Sequence, residues 1–205
     1  MTHALALVVL FVVGTLVVPA VGQTAEQTKE CKDWKTSWPA TAKARMEKRV
    51  GLQRRISELE EAEEHGSATA VRRELADLQV TWALNDAWKA NGCNWVLLSA
   101  DKFREAAKHE TDPKRKANHL AHRGFRLVEI QHYLSATDAF RTAAGLLDEK
   151  HPKRRQYTNY AELANHAAFQ KAEAAKKKLE LAVEDEEKAH AEETKAKDKS
   201  KSPTS

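Results

Sequence analysis

The chain has 205 residues, 31% of them charged and 41% hydrophobic. That length allows one domain with tails. With 34 basic against 30 acidic side chains the net charge is only +4, which leaves no general nucleic-acid footprint. A composition led by Ala, Glu, Lys, Leu and Arg, with 7 Gly and 5 Pro, favours helix almost throughout.

Residues 4–21, ALALVVLFVVGTLVVPAV, are apolar without a break. Ala20 and Gly22 are small and two apart, as a signal-peptidase site requires, and Pro19 breaks the apolar helix just before them. The expectation is a signal peptide over 1–22 and a secreted or periplasmic mature chain. An uncleaved N-terminal membrane anchor is the alternative, the run being barely long enough to span. Cys31 is not a lipid-attachment site, because TKEC lacks small apolar residues before it. Cys31 and Cys93 are the two cysteines. In an oxidising compartment they are expected to pair as one disulfide, with two inert thiols as the alternative. The chain has no C-x-x-C for a zinc ribbon or redox site. It also has no Asn-x-Ser/Thr sequon, which favours a bacterial envelope over a glycosylating route.

Residues 23–39 read as an irregular lead-in, with Trp34 and Trp38 as packing anchors. Over 40–64 the apolar positions Met46, Val50, Leu52, Ile56 and Leu59 form a helical stripe. EEHGSAT at 63–69 reads as a break, with Gly66 closing one helix and Ser67 or Thr69 opening the next. Val71, Leu75, Leu78 and Trp82 follow at spacings of four, three and four, so 40–79 is expected to be an antiparallel hairpin. ANGCN ends that second helix. Further helices are expected over 94–110, from Pro113 to about Gln131, from the QHY turn to about Glu149, and from Pro152, proline being well placed in a first turn. From about Lys171 only Leu179, Leu181 and Val183 are left to bury. Residues 171–205 therefore read as a charged, solvated helix extension fraying into disorder after about Thr194, with a coiled-coil handle as the alternative.

Two echoes cross this pattern. DKFREAA at 101–107 and DAFRTAA at 138–144 agree at five of seven positions with an offset of thirty-seven, which Ala87 and Gly124, and Ser99 and Ala136, share. DPKRK at 112–116 is followed by HPKRR at 151–155. A two-helix unit repeated with such a period predicts a solenoid in which small residues let backbones approach and a ring, Phe103 or Phe140, fills the gap. An irregular bundle containing a duplicated hairpin is the alternative.

LAHRGFRLVEIQHYLSATDAFRTAA at 120–144 resembles the tetratricopeptide family: Gly124 stands at the closest helix contact, Tyr133 follows the turn, and Ala136, Phe140 and Ala143 match the second helix. Ala87, Phe103 and Ala106 match in the preceding unit, and Tyr160, Leu163 and Ala164 resemble another first helix, so the likeness covers about 80–170. The resemblance implies a short all-α solenoid between the hairpin and the charged tail. It also implies a concave face of first helices that holds a protein or peptide partner, here Asn85, Trp88, Asn118, His122, Phe125 and Asn165. That face lacks the lysines with which some members clamp a terminal carboxylate.

Little else suggests chemistry. His119 and His122 lie three apart, a spacing that needs further ligands to hold a metal. There is no glycine-rich phosphate loop and no convincing nucleophile set, so neither enzyme activity nor a cofactor or metal is expected. Lys114, Arg115 and Lys116 begin one helix and Lys153, Arg154 and Arg155 begin another. Cations oppose the dipole there, so helix stability does not account for them. They read as an anionic-surface contact on one edge of the stack, for an acidic protein, envelope polymer or lipid headgroup, or else as loop solubility. The functional expectation is an exported, non-catalytic binding module, with a structural subunit of an envelope or secreted assembly as the alternative.

Overall fold

A computed structural model describes residues 25–200, with side chains from Glu26 to Asp185. The signal peptide expected over 1–22 lies outside the described residues. The fold is all-α. In chain order the helices are α1 Ala25–Glu61, α2 His65–Gly92, α3 Val96–His109, α4 Pro113–Glu129, α5 Tyr133–Gly145 and α6 Pro152–Ser200. Each packs mainly on its neighbours in sequence, so the N-terminal hairpin passes into a solenoid-like stack that ends on α6. Among the described residues no helix is long and apolar enough to cross a membrane.

The irregular lead-in expected before residue 40 is instead the first part of α1, a 37-residue helix with Pro39 inside it. Proline removes one backbone donor and crowds the preceding turn. Around it the hydroxyls of Thr36, Ser37 and Thr41 donate back to the carbonyls of Lys32, Trp34 and Ser37. Tertiary contacts hold the helix through the weak point. Trp34 stacks on Trp95 at 5.3 Å and meets Trp38 edge-on at 5.4 Å. The Cys31–Cys93 disulfide, with its Cα atoms 5.6 Å apart, ties α1 to the turn after α2. The sequence boundary at 79/80 falls within α2, which therefore belongs both to the hairpin and to the stack. Arg45 of α1 reaches across to the buried Asp86 of α2 with a two-pronged contact, 2.6 and 3.2 Å, and lies over Trp38 and Trp82.

The turns explain the echoes. Glu63, Asn94 and Gln131 take left-handed backbone, φ 59°, 58° and 60°, at the ends of α1, α2 and α4. After each, the next N–H donates to the carbonyl five residues back: Glu64 to Leu59 at 2.8 Å, Trp95 to Ala90 at 2.8 Å, and His132 to Leu127 at 2.9 Å. This is the six-to-one closure of a helix C-terminus, normally built on glycine. Asn94 and Gln131 are thirty-seven apart, so the turn repeats with the helices. Gly66, expected to close the first helix, instead lies inside α2. The second echo is a pair of helix starts. Asp112 accepts from the Arg115 N–H at 2.8 Å, His151 Nδ1 accepts from the Lys153 N–H at 3.2 Å, and a proline follows each as the first helical residue.

The main core joins α3 to α6 around Phe140, Leu120, Leu127, Leu147, Tyr157 and a series of alanines. Gly124 sits against Phe140 so closely that a Cβ there would lie 2.7 Å from the ring. Lys171 still donates to the Gln131 carbonyl at 3.5 Å and lies over Tyr133, and beyond the groove that Ala172 and Ala175 line with Tyr133, α6 leaves the stack without a break. Every side chain from Phe169 to Asp185 is exposed, and the helix continues to Ser200, past the fraying point expected at Thr194.

Candidate functional site

The echo delivers two matching sets of rings. In the first, Trp88 of α2 meets Phe103 of α3 at 5.1 Å and His122 of α4 at 5.3 Å, while Phe103 and His122 stack at 5.2 Å. In the second, Phe125 of α4 meets Phe140 of α5 and Tyr160 of α6, each at 5.1 Å, and Phe140 lies 5.5 Å from Tyr160. Each set takes one ring from a first helix, one from its second helix and one from the next first helix. Offset edge-on and stacked rings of this kind hold one another rigidly. The triads thereby align α2, α4 and α6 side by side, and that layer carries all six residues expected to line a groove.

The six do not play equal parts. Trp88 is 51% exposed although two rings brace it. Phe125 is half-buried between Phe140 and Tyr160 and packs against the core, so it supports the face more than it opens onto it. His122 is half-buried beneath Trp88. Asn85 and Asn165 are exposed. Asn118 Oδ1 accepts from Lys153 Nζ and from the Tyr157 hydroxyl, both at 3.4 Å, which joins α4 to α6. Burial holds His122 below the usual histidine range, and Arg126, His119 and Lys153 push it lower still.

The basic turns come together at one end of this layer, as the Lys153–Asn118 contact requires. Part of their charge is engaged within the chain. Arg115 pairs with the buried Glu110 at 3.1 Å, and Arg154 donates to the Leu147 carbonyl at 3.0 Å. Lys114, Lys116 and Arg155 remain at the rim: Lys114 and Arg155 are exposed and Lys116 is half-buried. Glu110 also accepts from the Asp112 N–H at 2.9 Å and faces His119 Nε2 at 3.5 Å. That last separation is long for a hydrogen bond, and His119 Nε2 is buried without one. Burial lowers the His119 pKa, with Glu110 opposing the shift and Arg115 reinforcing it.

Two residues of this region were not assigned to the face from the sequence. Tyr160, read there only as a helix residue, closes the second triad. Arg126 bridges Asn91 of α2 and Glu129 of its own helix. The spacing of Arg126, one turn after His122, is the cue that could have placed it on the same face. Among the described residues no cluster of three or more His, Cys, Asp or Glu side chains is placed to hold a metal ion. No family model, curated protein or solved structure matches this chain.

Proposed function

We propose that this chain is an exported, non-catalytic adaptor that holds an acidic peptide segment of a partner protein across the α2/α4/α6 layer, in the manner of a tetratricopeptide-like groove. The observation that carries the reading is Trp88: a large ring half open to solvent yet fixed on two sides by Phe103 and His122. A rigid exposed aromatic loses little entropy on binding and is a common hot spot. Its surroundings favour an anionic ligand. Lys153 and Arg126 bias His122, and the exposed Lys114 and Arg155 extend the positive rim. The exposed amides of Asn85 and Asn165 supply donors and acceptors for an extended backbone. Export accords with the Cys31–Cys93 disulfide.

A displayed library of Asp/Glu-rich peptides tests this. Binders should be selected and should weaken as salt rises, because exposed charges are screened beyond about 8 Å at physiological ionic strength. Trp88→Ala should weaken them by about thirtyfold, the size of a typical hot spot, with the melting temperature nearly unchanged. Failure to select acidic peptides, or selected peptides indifferent to Trp88→Ala, would remove the groove. The alternative, a structural subunit, is favoured by a different observation: the exposed Leu179, Leu181 and Val183 on the part of α6 that leaves the stack.

A further inference from the structure

The emergent part of α6 has an unpaired seam. Ala168, Ala172, Ala175, Leu179 and Ala182 follow at spacings of four, three, four and three, the alternation that keeps one stripe facing a partner helix. Leu179 is 67% exposed. The stripe begins at an apolar groove of about 340 Å³ in which Ala168, Ala172 and Ala175 face Tyr133 and Leu134. Leu134 is 70% exposed and Phe169, beside the stripe, is 63% exposed. A helix this far from other structure gains little from packing, which normally supplies most helical stability.

We infer that a second copy of this chain covers the seam, its α6 running antiparallel to the first. Charge order selects both occupant and direction. Along α6 a basic block, Lys176 to Lys178, precedes an acidic one, Glu180, Glu184 and Asp185. A helix with that order is complementary to its own reverse. With a two-fold axis between Glu180 and Leu181, Leu179 faces Ala182 of the second copy and Lys178 flanks Asp185 of the second copy. Both contacts occur twice by symmetry. A parallel pairing on the same seam would set Lys171 beside Lys176 of the other chain, like charges at the positions that decide helix orientation. Ala182 and Ala175 on either side of Leu179 allow close approach of the two backbones near the axis. Two stacks are carried at opposite ends of one rod.

Sedimentation equilibrium on protein expressed from its full coding sequence reads this directly. Wild type should dimerise. Lys178→Asp should weaken the dimer by about tenfold, since two symmetric attractions become repulsions, and Asp185→Lys should do the same. Lys178→Asp combined with Asp185→Lys should restore the wild-type constant, a rescue that simple loss of helix would not produce. Circular dichroism should show unchanged helix in all three variants, because both positions are exposed. A chain that stays monomeric at about 100 μM would overturn the inference, that concentration exceeding any useful self-affinity for a helix pair of this size. A dimer indifferent to both single changes, or one that the double change fails to restore, would equally place self-association elsewhere than on this seam.

Discussion

At the closest approach of α2 and α3 the chain carries Ala87, whose carbonyl accepts a buried hydrogen bond from Ser99 at 2.9 Å. Thirty-seven residues later the same approach carries Gly124, with Phe140 pressed so close that a Cβ would sit 2.7 Å away. Ser99 has given way to Ala136, and both are fully buried. The first unit joins its helices with a polar clasp and tolerates a methyl group. The second joins them with a ring driven into the space a methyl would need. One packing slot admits two chemical solutions, which is why the unit repeats in geometry more faithfully than in residues. The first-helix rings diverge in the same way. Trp88 lies 51% exposed with the smaller His122 ring on the following first helix, whereas Phe125 meets Tyr160 there and packs against the main core.

The ring substitutions bear hardest on this comparison. Phe103 and Phe140 are each 1% exposed, so truncating either to alanine should lower stability by about 3–5 kcal/mol through the cavity it leaves. Urea unfolding should return similar midpoints for the two variants. A gap of more than about 2 kcal/mol, beyond the usual spread for one chemistry, would mean that the units are not equivalent. Gly124→Ala is the next largest. Alanine improves helix propensity by about 1 kcal/mol, but overpacking against Phe140 costs about 1–3 kcal/mol. A net loss of about 1 kcal/mol is expected from those opposing terms, read as a lower thermal midpoint. A stabilised Gly124→Ala variant would show that the ring retreats freely and that the tight approach is incidental.

The smallest effect distinguishes the turns. Glu110 and His119 of the first have Leu147 and Gln156 at the thirty-seven offset in the second. Burial keeps His119 below its ordinary pKa, so the unfolded chain takes up the proton first. Its contribution to stability is therefore complete above the unfolded value of about 6.5 and is lost as pH falls through that value toward the lower folded one. His119→Gln should reduce the fall in thermal midpoint as pH drops below about 6.5, the unfolded value from which the downward shift starts. It should not abolish the fall, because burial also holds His109 and His122 low. Gln156→His should add no slope, since Gln156 is exposed.

The repeat was legible because its determinants are local and periodic. The prolines at 113 and 152, the small residues at 87 and 124 and the phenylalanines at 103 and 140 each read correctly from spacing alone. The disulfide was legible from a count of two cysteines and the expectation of an oxidising compartment. The first fifteen residues of α1 were not. Pro39 and the clustered Thr, Ser and Trp side chains signal loop locally, and what overrides them is the contact of Trp34 with Trp95, sixty-one residues away. The helix beyond Lys171 was legible as well, and only its end was placed early, at Thr194 rather than Ser200. The composition changes sharply at Lys171, but helix propensity does not, and a backbone follows propensity where nothing interrupts it. At the site, the sequence pointed to the layer and to Trp88. It could not separate Trp88 from Phe125, because the difference lies in which side chains the following helix sets against each, His122 or Tyr160.

The Cys31–Cys93 bond has a mechanical meaning. Tension entering from the N-terminal side of α1 reaches Cys31 within seven residues of Ala25. From there the covalent path crosses directly to Cys93, at the foot of α3. The sixty-one residues between the two cysteines, including most of the long hairpin, hang outside the loaded line. Pulled from its start, the molecule behaves as a short tether fixed to the stack, and the hairpin stays slack until the bond is reduced. In an optical trap, reduction should lengthen the fully extended chain by up to about 200 Å, at about 3.3–3.6 Å for each released residue.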